Sequence, residues 1–323
     1  MKTNKLLSQY FIDLNKLLNN SLPNNNLYKP ISYIFNLGGK SIRPFFLLYS
    51  FNIFGGKAKQ INKVALALES LHNFSLIHDD VMDNAEKRRG KPSVQKKWNE
   101  NTAILSGDAL LILCFKILNS IRIKNKKEIL NEFIDASLKI CEGQQIDLEM
   151  EKKKRIKKKE YFNMIKLKTA ALFVFSFKMG CFLAGGNLKN QRLMEEIGLQ
   201  IGLLFQIQDD YLDFFGTKRV GKKIGQDILE NKKTYLFCEL LECANKKDKE
   251  LFIINYNKKD IDPVNKINYV KEIFKKYEIK NKTLRKISNI KYLISSLIND
   301  LSISKNNKEN FIKYIHELSN RTN

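Results

Sequence analysis

Two groups of aspartates are the residues best suited to chemistry in this sequence. Both have the spacing Asp-Asp-x-x-Asp within apolar sequence of helical period, and they comprise Asp79, Asp80 and Asp83, then Asp209, Asp210 and Asp213. Residues four apart on a helix share one face, with Cβ atoms about 5–6 Å apart, so the outer aspartates of each group point the same way. We expect the two helices to face one another and to gather these carboxylates at the head of a cavity.

Carboxylates gathered in this way would repel one another and become partly protonated. Hard divalent cations remove that conflict, and Mg²⁺ usually completes its oxygen shell with water and substrate phosphate. The sequence therefore predicts a diphosphate held through Mg²⁺. A solvated helix face is a fair interpretation of one acidic triplet. It is a poor one for two triplets with identical spacing and apolar flanks, each followed by basic residues.

Basic residues flank the first aspartate group on both sides. Upstream, Lys40 and Arg43 follow two glycines and open the next predicted helix, whose N-terminus would favour a diphosphate. Downstream, Arg88 and Arg89 are adjacent, so they point in different directions and could clamp two different phosphates in bidentate fashion. This arrangement predicts contacts with two different phosphate groups.

The predicted helix of the first aspartate group also carries two histidines. His72 lies two helical turns before Asp79 on the same face, which favours contact with a ligand over a structural role. His78 adjoins the aspartates but points elsewhere, and we expect it to be structural.

Further polar residues accompany the second group. Lys168 and Thr169 open an apolar helix, where the lysine could bind a ligand or simply extend to solvent. Gln206 lies one turn before Asp209 on its face. Lys222 and Lys232 follow the second group and would add ammonium groups near its metal.

The composition is that of a globular protein with a strong basic excess. The chain has 323 residues, 43% hydrophobic, and a formal net charge of +23 from 57 Lys+Arg against 34 Asp+Glu. Such a charge attracts nucleic acid, anionic membranes or anionic substrates. Lysine and asparagine are abundant throughout, so most of the excess is uninformative. The run at 152–159, KKKRIKKK, is interpreted as a solvated loop in preference to a membrane or nucleic-acid patch.

Cysteine usage and apolar patterning favour a cytoplasmic location. The five cysteines are scattered without a C-x-x-C motif, as expected of free thiols in a reducing compartment. The N-terminal segment has the pattern of an amphipathic helix, with no secretory apolar core. The longest apolar stretch, 170–186, contains Lys178 and is short for a membrane span.

Apolar residues recur every three or four positions along most of the chain, and no alternating strand pattern persists. Only 5 prolines and 15 glycines interrupt it. No linker is rich enough in Pro, Gly or Ser to divide it. We therefore expect one all-α domain over residues 1–323, with the motifs confined to about 30–240.

These motifs resemble the trans-isoprenyl diphosphate synthases, or polyprenyl synthetases, of the short-chain type. The resemblance rests on GGKSIRP, HNFSLIHDDVMDNAEKRRGKPS, SGDALL, EGQQIDLE, KLKTAALF, FQIQDDYLDFFG and GKKIGQDILENKKT, in the family's order. It implies an isoprenoid-synthase-type helical bundle around a deep apolar cavity, a homodimer, and three Mg²⁺ ions per active site. The implied substrates are isopentenyl diphosphate and allylic diphosphates, with no nucleic acid and at most peripheral membrane contact.

The resemblance also implies roles for the residues that occupy the family's motif positions in this sequence. The implied isopentenyl diphosphate contacts are Lys40, Arg43, His72 and Arg89. The implied allylic diphosphate contacts are Arg88, Lys168, Thr169, Gln206, Lys222 and Lys232. The implied metal ligands are Asp79, Asp83 and Asp209, with support from Asp213, and the catalytic set also includes Asp80, Asp210 and Lys168. Lys223 competes with Lys222 because the length of this loop varies in the family. Asn231 stands where the family often has glycine.

The implied reaction is a head-to-tail condensation. The allylic diphosphate ionises in an apolar pocket, the double bond of isopentenyl diphosphate attacks C1, and the departing diphosphate is the implied proton acceptor. Phe74, five residues before Asp79 and about 7.5 Å deeper along the helix, is expected to form the floor of the chain pocket, with Ser75 leaving room beside it. We expect geranylgeranyl diphosphate as the product, with farnesyl diphosphate next.

Other functions account for less of the sequence. A longer-chain synthase for quinone side chains remains an alternative. A terpene cyclase usually has Asn, Ser/Thr and Glu in its second metal motif, and a non-catalytic subunit typically loses acidic motifs. A nucleic-acid-binding protein would explain the charge but none of the carboxylates.

Overall fold

Helices form nearly all the regular structure of this chain. The computed structural model describes residues 2–57, 60–216, 225–258 and 262–319. The predicted all-α class is confirmed. The exception, which the absence of strand alternation did not predict, is a small antiparallel hairpin of β1 (Lys87–Arg88) and β2 (Lys91–Pro92). Its turn is centred on residues 89 and 90.

The helices are grouped into two compact units. The first comprises Met1–Ile140 and Leu172–Gly198, and the second comprises Cys141–Ala171 and Leu199–Asn323. The organisation of residues 1–323 as a single domain stays a prediction.

The first unit contains the helices that carry the first aspartate group and its basic neighbours. Besides the hairpin they are α1 (Lys2–Lys16), a π-helical turn (Leu17–Ser21), α2 (Lys29–Asn36), α3 (Ile42–Ile53), α4 (Ile61–Met82), α5 (Val94–Lys97), α6 (Glu100–Asn119), the beginning of α7 (Lys126–Lys152), nearly all of α9 (Ala171–Leu183) and the beginning of α10 (Leu188–Phe215).

The second unit contains the ends of α7 and α10 and the helices that follow. These are α8 (Lys158–Ile165), a second π-helical turn (Lys166–Ala170), α11 (Gln226–Leu229), α12 (Tyr235–Cys243), α13 (Lys246–Tyr256), α14 (Pro263–Lys276), α15 (Ile279–Asn299) and α16 (Lys305–Ser319).

Helix α4 is the central element of the first unit. Fourteen of its residues are buried, and it packs along α6 and against α1 and α3. One close approach to α6 is at Gly107, where an added Cβ would collide with the imidazole of His78. His78 Nε2 lies 3.2 Å from the carbonyl oxygen of Ile104, consistent with the structural role expected of this histidine. The packing fixes the register of the first aspartate group.

Helix α6 is long and apolar enough to cross a membrane on length and composition alone, and it is the one such helix among the described residues. Its Ala103, Leu110 and Cys114 side chains are fully buried within the first unit.

The core of the second unit is an aromatic cluster between α12, α13 and α14. It contains Phe237, Phe252, Tyr256 and Phe274, each at most 2% exposed. Helix α12 begins at the Thr234 cap, whose hydroxyl accepts from the N–H of Phe237. The core also contacts the segment that follows the second aspartate group, because the Tyr256 hydroxyl donates to the Lys232 carbonyl oxygen at 2.6 Å.

Candidate active site

The first aspartate group lies at the C-terminal end of α4. Asp79 is in the last turn, Asp83 caps the helix with φ −85° and ψ 0°, and both side chains are partly exposed. Asp80 between them is fully buried. The carbonyl end of a helix carries partial negative charge, so carboxylates there need cations to offset it.

Arg88 from the hairpin supplies one of these cations. Its Nε donates to both carboxylate oxygens of Asp80, at 3.0 and 3.1 Å, and its Nη2 lies 3.6 Å from an Asp79 oxygen. Gln95 Nε2 also donates to the Asp80 carbonyl oxygen at 2.7 Å. Burial raises the pKa of Asp80, and Arg88 opposes that rise. Both carboxylate oxygens of Asp80 therefore accept from Arg88, and these contacts fix Arg88 beside Asp79.

A second cationic group forms around α3 and α4. Arg43 Nη1 donates to His72 Nε2 at 3.0 Å, and its guanidinium carbon lies 4.8 Å from the centre of the Phe173 ring. Because arginine has only donors, His72 Nε2 accepts, so this histidine is neutral with its proton on Nδ1. Burial and the surrounding arginines hold the pKa of His72 well below its usual value, and burial lowers the pKa of Arg43 to about 10.

Arg89 joins this group from the turn of the hairpin. Its φ of 52° is left-handed, and its guanidinium lies so close to Gly39 that an added Cβ there would be 2.9 Å away. Its charge acts on both Arg43 and His72. The structure thus brings together three of the four residues carried over as isopentenyl diphosphate contacts. The fourth, Lys40, is exposed and follows Gly39 in the chain.

The second aspartate group lies in the last two turns of α10. Asp210 is only 4% exposed and accepts three hydrogen bonds: from the Tyr161 hydroxyl at 2.5 Å, the Tyr235 N–H at 2.7 Å and Gln206 Nε2 at 3.0 Å. Burial, reinforced by Asp227, raises its pKa to about 7 against these hydrogen bonds. Asp209 and Asp213 are partly exposed. Each group therefore has a buried inner aspartate and outer aspartates that reach solvent.

Backbone N–H groups reinforce the second group from the following segment. The Asp227 N–H donates to Asp213 Oδ2 at 3.2 Å, and the Gly225 N–H donates to the Asp213 carbonyl oxygen at 2.8 Å. The Lys232 N–H donates to the Asp227 carbonyl oxygen at 2.8 Å, and Lys232 Nζ lies 3.7 Å from Glu230. Lys222 and its competitor Lys223 lie outside the described residues.

The two polar residues predicted at the start of α9 lie in the π-helical turn before it. Lys168 Nζ donates to Asp147 Oδ2 at 2.6 Å, and the Thr169 hydroxyl donates to Gln206 Oε1 at 2.9 Å. Single π-helical turns often occur at functional sites. Both ends of the Gln206 amide are therefore bonded within the protein, to Thr169 and Asp210.

Comparison with known proteins identifies the family. The family model for polyprenyl synthetase matches residues 24–274. The chain is 41% identical over 229 residues to the short chain isoprenyl diphosphate synthase of Methanothermobacter thermautotrophicus, covering 70% of each chain. This chain belongs to the polyprenyl synthetase family. It is also 38% identical over 232 residues to the geranylgeranyl diphosphate synthase of Sulfolobus acidocaldarius, covering 70% of each chain.

Solved structures of polyprenyl synthetases agree with this assignment. A geranylgeranyl pyrophosphate synthase has a TM-score of 0.92 at 35% identity, with 100% of both chains covered. The geranylgeranyl pyrophosphate synthetase of Pyrococcus horikoshii has a TM-score of 0.86 at 32% identity, covering 99% of this chain and 100% of the other. The predicted enzyme class, a prenyltransferase with the isoprenoid-synthase fold, is confirmed.

The outer aspartates of this polyprenyl synthetase fit Mg²⁺. They offer only oxygen donors, they are partly exposed, and their inner neighbours are already occupied by protein groups. Among the described residues, no three His, Cys, Asp or Glu side chains are grouped as a ready-made metal site. A pair of carboxylates from one helix suits Mg²⁺, which keeps several positions for water and substrate phosphate.

Several polar residues of the site had no assigned role in the sequence. Asp147 lies in the motif EGQQIDLE, so its pairing with Lys168 could have been sought there. Tyr161 and Glu69 are single polar residues in apolar helical sequence, with no repeat or charge pattern to mark them. Only the three-dimensional structure reveals the contacts of Tyr161 and the burial of Glu69.

Proposed function

We propose that this enzyme condenses isopentenyl diphosphate head-to-tail (1′-4) with an allylic diphosphate to make an all-trans prenyl diphosphate. The observation that carries the proposal is the second cationic group, in which Arg43 and Arg89 carry the charge beside the neutral His72, in addition to Arg88 beside Asp79. A cyclase that only ionises one allylic diphosphate needs no second diphosphate site. Two separate cationic positions support a reaction between two diphosphates.

Acidic and basic residues have different roles in the proposed reaction. Asp79, Asp83, Asp209 and Asp213 would hold Mg²⁺, which when bound neutralises the leaving diphosphate. Lys168, Arg88 and Lys232 bind the oxygens of the allylic diphosphate. Lys168 is held by Asp147 at 2.6 Å, so an incoming diphosphate competes for a positioned ammonium group. The neutral His72 and charged Arg43 hold the second diphosphate, and the fixed donors need no rearrangement as charge develops.

We propose geranylgeranyl diphosphate as the product, because several relatives carry that activity in their names. We further propose that the enzyme is a cytoplasmic homodimer. A second copy would cover the apolar residues that α6 and α7 expose in the first unit. These are Ile104, Leu105, Ile112, Ile134 and Leu138.

The test is turnover by the purified enzyme with Mg²⁺, isopentenyl diphosphate and dimethylallyl, geranyl or farnesyl diphosphate as primer. We expect incorporation of isopentenyl units and a product that stops at C20. Linear products of C30 or more would favour the longer-chain alternative. A cyclic hydrocarbon formed without isopentenyl diphosphate would refute the proposal.

Phe74 is proposed as the floor of the chain pocket. The side chain is 7% exposed, and its ring centre lies 4.7 Å from that of His78. Phe74→Ala is expected to lengthen the product by one or more five-carbon units with little loss of first-step rate. Removing a large buried ring opens a cavity at roughly 7.5 Å from the level of Asp79.

The matched variant for Phe74 is Ser75→Phe. Ser75 is partly exposed, and its hydroxyl donates to the His72 carbonyl oxygen at 2.8 Å. A ring added there should shorten the product to C15. Chain lengths are read by chromatography after dephosphorylation. An unchanged product length in Phe74→Ala would show that Phe74 does not form the floor of the chain pocket.

Gly39→Ala is expected to raise the KM for isopentenyl diphosphate by roughly tenfold, since the new Cβ displaces the Arg89 guanidinium. Gly55→Ala is the matched control. Gly55 also has positive φ, 77°, but a Cβ there meets open space. Both variants should lose about 1 kcal/mol of stability from backbone strain. Equal KM values for isopentenyl diphosphate in the two variants would show that binding does not depend on the position of the Arg89 guanidinium over Gly39.

A further inference from the structure

Glu69 is a buried carboxylate that the proposed mechanism does not use. It lies on α4, one helical turn before His72, and is only 4% exposed. Glutamate is almost never buried to this extent unless it is paired. Its position therefore calls for a partner of opposite charge.

The opposite charges that act on it belong to the arginines of the second cationic group, although none of them bonds to Oε2 of Glu69. The charges of Arg43 and Arg89 both act on Glu69, and each opposes the rise in pKa that burial causes there. Tyr10 of α1 is fully buried, and the charge of Glu69 adds to the burial that raises the pKa of its phenol. Glu69 is thus a buried carboxylate whose charge acts on both Arg43 and Arg89.

The Arg43 guanidinium has no bonded counter-charge among the described residues. Its Nη1 donates to a neutral histidine, and its face lies over the Phe173 ring, so neither contact supplies a full negative charge. Its Nε and the Oε2 of Glu69 are both buried without a hydrogen-bond partner among the described residues. Two converging arginines would repel each other without an anion between them.

We propose that Glu69 is a positioning residue, which holds Arg43 and Arg89 together so that the isopentenyl diphosphate site is formed before the substrate arrives. This inference rests on the proposed function. Two effects of the carboxylate oppose each other. A fixed negative charge weakens the binding of a diphosphate. A fixed pair of arginines strengthens it, because the substrate does not have to order two long side chains.

In Glu69→Gln, the direction of the change in KM for isopentenyl diphosphate distinguishes these two effects. If positioning dominates, KM for isopentenyl diphosphate should rise about tenfold. KM for the allylic primer and kcat at saturation should change by less than about twofold, since Glu69 touches neither the aspartates nor Arg88. If the charge alone matters, KM for isopentenyl diphosphate should fall, and the inference is overturned.

Ser70→Ala is the matched control. Ser70 is the next residue on α4, is fully buried, and its hydroxyl also lacks a hydrogen-bond partner among the described residues. It should leave both KM values unchanged. A rise in both KM values in Glu69→Gln, together with a lower Tm, would show a merely structural role and would overturn the inference.

Glu69→Asp keeps the test decisive if the glutamine variant does not fold. The shorter side chain keeps the charge but withdraws it from the arginines, so we expect a smaller rise, about threefold, confined to isopentenyl diphosphate. No selective rise in this variant would contradict positioning. The wild-type enzyme is assayed first. If it does not consume isopentenyl diphosphate, the proposed function fails. If wild-type turnover is normal but the Glu69 variants do not raise KM selectively for isopentenyl diphosphate, only the role of Glu69 is refuted.

Discussion

Asp79→Ala and Asp209→Ala are each expected to lower kcat by roughly a thousandfold or more, because a metal ligand is lost where negative charge grows on the leaving diphosphate. Both side chains are partly exposed, so neither change removes a fully buried side chain. The Tm should therefore stay within a few degrees of the wild-type value. Steady-state turnover in Mg²⁺, with both substrates saturating, measures the effect.

Asp135→Ala is the control for both variants. Asp135 is an exposed aspartate on α7, and its loss should leave kcat unchanged. Near-normal turnover of Asp79→Ala or Asp209→Ala would refute the assignment of that residue as a metal ligand. A large loss of stability with proportionate loss of activity would instead assign the residue to the fold.

Arg88→Ala is expected to destabilise the enzyme by about 3–5 kcal/mol, because it leaves the carboxylate of Asp80 buried without a counter-charge. It should also raise KM for the allylic substrate. Arg89→Ala should leave the free energy of unfolding nearly unchanged, since Arg89 is exposed, and should chiefly raise KM for isopentenyl diphosphate. Denaturant unfolding and KM for each substrate measure the two effects.

A double variant separates the two roles of Arg88. Adding Asp80→Asn to Arg88→Ala removes the unpaired charge, so stability should recover in part while KM for the allylic substrate stays high. Equal effects of Arg88→Ala and Arg89→Ala on the KM values of both substrates would show that the two adjacent arginines do not bind different substrates. Full recovery of KM in the double variant would show that Arg88 acts only through Asp80.

Regular spacing made the helices and both aspartate groups predictable. The outer aspartates lie at the ends of α4 and α10 because apolar residues at intervals of three and four fix those helices in register. The hairpin was not predicted, since strands of two residues such as Lys87–Arg88 are too short to show alternation.

The division of labour within each group could not be predicted from spacing. Asp79 and Asp80 have the same side chain, but Asp80 is the one that accepts hydrogen bonds from the guanidinium that the hairpin folds back. The same holds for Gln206, whose amide was expected to contact a diphosphate and is bonded at both ends within the protein. Such contacts join positions far apart in the chain, and one sequence carries no direct record of them.

The left-handed turn at Arg89 has a consequence for the history and engineering of this enzyme. A residue with a Cβ costs about 1–2 kcal/mol in that conformation, and glycine would adopt it freely. Selection for thermal tolerance alone would therefore favour glycine at position 89, at the expense of the charge that we propose binds isopentenyl diphosphate. In a library of variants screened for thermal stability and not for product formation, this arginine should be replaced early. Position 89 is therefore one at which stability and activity oppose each other.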